Sequence, residues 1–333
     1  MRAAVISSGA WGTALALCLC RNGHETVLWS HNPEKAEKMR LSRSNPQLPG
    51  VVLPEALEIT DDPACVTGRD LVVFACPSFS IRSVTERIAP YISGNAVIAT
   101  ATKGIEADTM LRMSQIVSEL TGHRVVALTG PSHAEEVASG IPTGCLAACA
   151  ERKLAEYVQD AFMSDSFRIY TSPDVVGAEL GGALKNIIAL CAGISDGMGF
   201  GDNTRAMLMT RGLTEMARLG VAMGAERNTF AGLSGVGDLI VTCTSMHSRN
   251  HRAGILIGKG ETAEKAMEHV GAVVEGYYAT KAVYLLCQKL GVTMPIVTAA
   301  YQVLYENANA RDAVQGLLLR RKKAEQEDLG WLL

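Results

Sequence analysis

Four stretches of this chain carry residue types that packing alone does not call for. Thr102-Lys103-Gly104 follows a buried-strand pattern, and ligands of parallel sheets bind outside the carboxyl ends of their strands. Lys103 is therefore a candidate crevice residue, with a surface loop lysine as the plain alternative. Thr129-Gly130-Pro131-Ser132-His133-Ala134-Glu135-Glu136 lies at another strand end, where Gly130 and Ser132 could present amides and a hydroxyl to an anion. Ser132 as a helix N-cap, with Glu135 completing a capping box, fits the same residues. In Glu179-Leu180-Gly181-Gly182-Ala183-Leu184-Lys185-Asn186, helical spacing sets Lys185 over Gly181, Gly182, Ile188 and Ala189. Desolvation there would lower the lysine pKa into an acid–base range, unless the side chain snorkels to water. Finally, Gly232-Leu233-Ser234-Gly235-Val236-Gly237-Asp238 predicts a sharply placed helix start with its carboxylate turned inward. Ser248-Arg249-Asn250 then supplies a fixed charge and two polar groups suited to a phosphate. Ordinary helix capping by Asp238 and a surface Arg249 are the plain alternatives.

The N-terminus adds a cofactor. Arg2-Ala3-Ala4-Val5-Ile6 reads as a strand, Ser7-Ser8-Gly9-Ala10-Trp11-Gly12 as a tight loop, and Thr13-Ala14-Leu15-Ala16-Leu17 as a helix start. Unpaired amides and the positive end of a helix dipole then face one point, which suits a pyrophosphate. The usual G-x-G-x-x-G begins here with Ser7, which reaches positive φ less cheaply than glycine, so a shifted turn and weaker cofactor affinity are expected. The second strand ends Leu28-Trp29-Ser30-His31-Asn32 without the carboxylate that selects NAD. Ser30 and Asn32 as donors, with His31, lean the reading towards NADP or towards tolerance of both. A carboxylate, two lysines, an arginine, an asparagine and a dinucleotide loop together suit hydride transfer to or from a small phosphorylated substrate.

These residues must be held by a scaffold, and the pattern predicts two parts. Up to residue 173, β-branched runs (2–6, 26–29, 71–75, 96–99, 125–129, 144–148) alternate with helical segments (33–43, 80–89, 108–120, 132–139, 151–162). Such alternation predicts a mostly parallel, doubly wound α/β sheet of Rossmann type over 1–173. From 174 to 333 helical patterns dominate (174–195, 204–223, 262–270, 277–290, 299–306), predicting an all-α second domain for substrate and catalysis. A net charge of −3 offers no field for nucleic acid or an anionic membrane. Nine cysteines without a C-x-x-C pair fit free thiols in a reducing cytoplasm, and no metal site is expected. The most apolar segment, 183–200, is interrupted by Lys185, Asn186 and Asp196, so no membrane span is expected.

The same stretches carry a family resemblance. Gly9-Ala10-Trp11-Gly12-Thr13-Ala14-Leu15-Ala16, Ala101-Thr102-Lys103-Gly104, Gly130-Pro131-Ser132, Leu180 to Asn186, Gly235-Val236-Gly237-Asp238-Leu239, Ser248-Arg249-Asn250 and Val274-Glu275-Gly276-Tyr277 stand in the family's order and spacing. The chain resembles the bacterial-type soluble NAD(P)-dependent sn-glycerol-3-phosphate dehydrogenases over essentially its whole length. That resemblance implies reversible reduction of dihydroxyacetone phosphate, feeding phospholipid synthesis, and a homodimer. It implies Lys185 as the acid–base group, oriented by Asp238. It implies Lys103, Gly130, Ser132, Lys185, Asp238, Ser248, Arg249 and Asn250 at the substrate. Gly9 belongs to the cofactor loop, and Ala10, Trp11, His31, Lys103, Ala134, Arg249, Val273 and Glu275 are implied around the cofactor. Two other readings compete. A β-hydroxyacid or 6-phosphogluconate-type dehydrogenase resembles a pattern with lysine and asparagine four apart, whereas Lys185 and Asn186 are adjacent. A non-catalytic nucleotide sensor would have no need of a proton donor.

Overall fold

Short apolar runs form an eight-stranded sheet in the order β3-β2-β1-β4-β5-β6-β7-β8. The structure is a computed structural model and describes residues 1–322 and 324–325 of the chain. The strands are β1 (Arg2–Ile6), β2 (Glu25–Trp29), β3 (Glu58–Thr60), β4 (Leu71–Phe74), β5 (Val97–Thr100), β6 (Val125–Thr129), β7 (Thr143–Ala148) and β8 (Phe167–Ser172). All neighbours pair in parallel except β6 and β7. Around them lie α1 (Ala10–Arg21), α2 (Pro33–Ser42), α3 (Ile81–Ile88), α4 (Met113–Thr121), α5 (Ala134–Ala138) and α6 (Arg152–Phe162). The fold is thus a mostly parallel, Rossmann-like α/β unit followed by a helical one. Strands buried on both faces are near-continuously apolar, as Leu71-Val72-Val73-Phe74 shows. The sheet order reverses beside β1, whose neighbours are β2 and β4, so the crevice at their carboxyl ends is the expected dinucleotide position.

The helical part comprises α7 (Val175–Gly197), α8 (Asp202–Ala222), α9 (Asp238–Thr244), α10 (Arg249–Gly258), α11 (Ala263–Val270), α12 (Glu275–Leu290), α13 (Pro295–Tyr305) and α14 (Ala310–Leu318). Asp174 caps α7 by accepting from the Gly177 amide at 2.8 Å. α7 is long and apolar enough to cross a membrane, yet it is buried at the centre of this part. Its closest partner is α10, where a Cβ on Gly193 would meet the His251 carbonyl oxygen at 2.1 Å and one on Gly254 the Leu190 oxygen at 2.2 Å. Glycine lets these two backbones touch, and this contact sets the start of α10 against α7.

Several boundaries differ from the sequence expectation. α4 begins at Met113 rather than near 108, because Met110 takes a positive φ of 61° and closes a turn. α5 begins at Ala134 with His133 in the N-cap position, so Ser132 is no cap and no capping box forms there. α13 begins earlier than expected, with Pro295 in its first turn, where a missing N–H costs nothing. α10 and α14 lie in segments whose helical pattern was not separated from the loops. β3 is three residues long, and β8 occupies a stretch read only as a boundary. The last residues of the expected second domain, 326–333, lie outside the described residues.

Candidate active site

At the start of α1 the loop keeps its tight shape despite the serine. Ser7 takes φ 107°, in the region that favours glycine, and its amide donates to the Trp29 carbonyl at 3.1 Å. The serine is held in a backbone conformation that glycine reaches more cheaply. A Cβ on Gly12 would sit 2.0 Å from the Ser7 carbonyl oxygen, so the helix can pack here only through glycine. Gly9 occupies the N-cap without a side-chain cap, and the first helical hydrogen bond runs from Thr13 N to Gly9 O at 2.9 Å. The amides of Ala10, Trp11 and Gly12 thus precede the helical ladder, the arrangement that receives phosphate oxygens. The Trp11 indole N–H is buried without a partner among the described residues, a donor left available at this spot. The loop fits a dinucleotide.

Beyond β2 the Ser30 hydroxyl is already engaged, whereas the Asn32 side chain is engaged only as an acceptor. Ser30 is fully buried, its hydroxyl accepting from Ser8 Oγ at 2.9 Å and donating to the Asn32 carbonyl at 3.2 Å. Asn32 caps α2 by accepting from Lys35 N at 2.9 Å. Of that trio His31 and Asn32 are exposed. The sequence reading missed Lys35, whose ammonium reaches back to the Ser8 carbonyl at 2.7 Å and to Gln47 at 2.8 Å. A cation beside this turn favours an added phosphate; the signal in sequence was a lysine one helical turn after the N-cap.

The centre of the site is one carboxylate shared by two lysines. Asp238, 1% exposed at the start of α9, accepts from Lys103 Nζ on Oδ2 and from Lys185 Nζ on Oδ1, each at 2.7 Å. Lys103 comes from the loop after β5 and also donates to the Gly130 carbonyl at 2.9 Å. Ser132 Oγ donates to that same carbonyl at 3.0 Å. Lys185 comes from the middle of α7 and donates further to Thr242 Oγ1 at 2.7 Å. The approach of the two elements is backbone-close, since a Cβ on Gly181 would lie 2.3 Å from the Ser234 carbonyl oxygen. Two ammonium groups on one carboxylate leave one net positive charge in a dry site. Burial lowers the Lys185 pKa to about 8; Asp238 opposes that fall and Lys103 adds to it. At neutral pH Lys185 can therefore both hold and release a proton.

Beside this cluster the helix starts meet. Asn250 donates through Nδ2 to Asn186 Oδ1 at 3.0 Å and accepts on Oδ1 from the Gly276 amide at 2.8 Å. Ser248 caps α10 by accepting from His251 N at 3.2 Å. Arg249 opens α10, is exposed, and makes no ion pair or hydrogen bond among the described residues. Glu275 opens α12 and accepts from Ser78 N at 3.1 Å and Ser78 Oγ at 2.5 Å, which ties the loop after β4 to the helical part. Burial raises the Glu275 pKa; the Ser78 bonds and the Arg249 charge pull it down. Ala134 is buried at the start of α5, and Val273 is half-buried just before α12.

The structure thus brings Lys103, Gly130, Ser132, Lys185 and Asp238 into one bonded cluster. Among the described residues, no side-chain hydrogen bond or ion pair joins His31 or Arg249 to it, and Val273 has no polar side chain to do so. Thr242, Asn186 and Ser78 had no role in the sequence reading. Thr242 was legible as the i+4 neighbour of Asp238 on one helix; Ser78 and Asn186 had no local signal for their partners.

Comparison with known proteins agrees over the whole chain. Residues 2–155 match the family described as NAD-dependent glycerol-3-phosphate dehydrogenase N-terminus, and residues 174–315 match its C-terminus. The glycerol-3-phosphate dehydrogenase, NAD(P)+, of Fusobacterium nucleatum is 48% identical over 330 residues, covering 98% of both chains. That of Thermoanaerobacter sp. is 50% identical over 326 residues, covering 98% of this chain and 99% of the relative. A crystal structure of the Coxiella burnetii glycerol-3-phosphate dehydrogenase superposes with a TM-score of 0.92 at 37% identity, covering 96% of this chain and 99% of that one.

Proposed function

Because the chain belongs to the NAD-dependent glycerol-3-phosphate dehydrogenase family, we propose that Lys185, Asp238 and Lys103 carry its chemistry. The protein is an oxidoreductase that reversibly reduces dihydroxyacetone phosphate to sn-glycerol 3-phosphate with NAD(P)H. Family membership sets aside the hydroxyacid, 6-phosphogluconate and sensor readings.

The observation that carries the assignment is the pair of lysines on one buried carboxylate. A dinucleotide held at the loop between β1 and α1 would supply or accept the hydride at C2. Lys185 Nζ gives its proton to the C2 alkoxide oxygen as the ketone is reduced, and its neutral amine removes the C2 hydroxyl proton in the reverse direction. Asp238 and Thr242 aim the ammonium, and the net positive charge of the cluster stabilises the developing oxyanion in a site without competing water. Gly130 and Ser132 line the same pocket. Arg249, unpaired beside the Ser248 cap and the amides at the start of α10, receives the substrate phosphate. Asn250, both ends of whose amide are bonded, fixes the clamp's shape. Gly9, Ala10, Trp11, His31, Ala134, Val273 and Glu275 hold the cofactor, with Lys35 adding positive charge beyond β2. Residues 1–173 form the cofactor domain and 174–333 the substrate domain. A cytoplasmic homodimer feeding glycerophospholipid synthesis, binding neither nucleic acid nor membrane, completes the reading.

Lys185→Ala tests it. Turnover falls by roughly 10²–10⁴-fold, the usual worth of a positioned acid–base group, while cofactor affinity measured by fluorescence titration stays within about threefold, the scale of effect of a residue outside the cofactor loop. Unchanged turnover would remove Lys185 from the mechanism.

A further inference from the structure

Away from the lysine–carboxylate cluster, α7, α8, α13 and α14 line a half-open cavity of about 220 Å³. It follows α8 from Thr204 to Arg218, about 21 Å of helix at about 1.5 Å per residue. Its middle is aliphatic, with Met207, Leu208, Ala300, Val314 and Leu317 as walls. Its ends are polar and different. At the α7 end the Ser195 hydroxyl is buried, 4% exposed, and has no hydrogen-bond partner among the described residues. Buried hydroxyls are nearly always satisfied, so an unmatched one on a residue lining this cavity marks a place for a ligand atom. From its middle towards the other end Arg211, whose Nη1 donates to the Glu325 carbonyl at 3.2 Å, and Arg320 line it with Glu215, whose carboxylate is committed to capping α13 through the amides of Ile296 and Val297. The guanidinium groups there outnumber the acid. An apolar cavity of about 150 Å³ holds benzene, so this one has room for roughly eight to ten carbons.

We propose that this cavity is a ligand site for an aliphatic anion carrying a hydrogen-bonding group at the end remote from its charge. The charged head lies at Arg211 and Arg320, the chain along the Met207 and Val314 walls, and the remote polar group at Ser195 Oγ. The site is six to ten residues further along α7 than Lys185, and its test needs no catalytic readout, so it stands or falls apart from the assignment of the reaction.

The probe is 10-hydroxydecanoate, titrated calorimetrically into the full chain, with decanoate, which lacks the remote hydroxyl, and decane-1,10-diol, which lacks the charge, as comparators. The hydroxy acid is expected to bind once per chain, with each comparator at least tenfold weaker. Ser195→Ala should erase the preference over decanoate, and the Arg211→Ala/Arg320→Ala pair the preference over the diol. Val314→Trp, on a helix with no fully buried residue, should block all three without disturbing the fold or the turnover of dihydroxyacetone phosphate. Equal binding of the diol, binding without saturation, or binding undiminished by Val314→Trp would each overturn the proposal. So would concentration-dependent self-association that excludes the probe, since the face would then belong to a second copy of the chain.

Discussion

Asp238→Asn isolates the electrostatics of the site while preserving its shape. The carboxylate lies 2.7 Å from the ammonium nitrogens of both Lys103 and Lys185, one on each oxygen; asparagine keeps the size and one acceptor, and turns its amide donor towards the other amine. What disappears is the one negative charge that holds the Lys185 proton against burial and the neighbouring cation. A close charge pair at an effective dielectric of about 20 is worth about 4 kcal/mol, or about three pKa units at about 1.4 kcal/mol per unit. The Lys185 pKa of about 8 would then fall to about 5. Reduction needs the protonated amine, so kcat/KM for dihydroxyacetone phosphate falls as pH rises through that pKa. In the parent the falling limb sits about 8; in Asp238→Asn it moves acid by about three units. At neutral pH the variant loses about two orders of magnitude, and recovers most of that loss on acidification. The assay is kcat/KM against pH at saturating NADPH, with circular dichroism at each pH to follow the fold. A limb that stays about 8, or activity that does not return at acid pH, would refute the claim that Asp238 sets the Lys185 proton.

Arg249→Ala should raise KM for dihydroxyacetone phosphate by about 10–100-fold with kcat little changed, because a phosphate contact contributes equally to ground and transition states. Slow turnover of unphosphorylated dihydroxyacetone should be untouched, and a loss confined to kcat would give Arg249 another role. Ser7→Gly should stabilise the protein by about 1 kcal/mol, since a serine at φ 107° carries roughly 1–3 kcal/mol of strain and glycine returns part of the gain as chain entropy. Thermal unfolding with and without cofactor checks this, and a lower Tm would mean that the serine is not strained. Glu215, 4% exposed, has its pKa raised by burial from 4.5 to about 7, against the pull of the Ile296 and Val297 amides. A raised carboxyl pKa contributes stability that is complete below about 4.5 and lost as pH rises through about 7. Relative to Glu215→Gln, the parent should therefore lose about 3 kcal/mol between mildly acidic and mildly alkaline pH. Parallel stability curves in urea would contradict the buried, protonatable state.

Much of the scaffold was legible because its rules are local. Strands buried on both faces must be continuously apolar, helices must repeat at 3.6 residues, and a strand–loop–helix that meets a phosphate needs small residues where backbones touch. Those constraints lie within a few residues of one another, and they marked β1, the loop to Gly12, α1 and the helical second part. The alternation of buried Phe167 and Ile169 with exposed Arg168 and Tyr170 was also present, and identifies β8 as a half-buried edge strand. It was overlooked because the change to helical patterns falls in the same stretch.

Lys185 over small residues and Asp238 behind three glycines were likewise visible as departures from packing, since a charge at a buried helical position has to be accounted for. What only the tertiary structure decided is which groups share which partners. Lys103 and Asp238 are separated by 135 residues and Lys185 and Asp238 by 53, so no pattern in the chain states that both amines fall on one carboxylate. The same holds for Ser30 and Asn32: the Ser30 hydroxyl accepts from Ser8 and donates to the Asn32 carbonyl, and the Asn32 side-chain oxygen accepts from the start of α2. Side-chain chemistry is written residue by residue, whereas a shifted pKa or an occupied hydrogen bond belongs to a set of neighbours. That set exists only once the sheet, α7 and α9 have packed and excluded water.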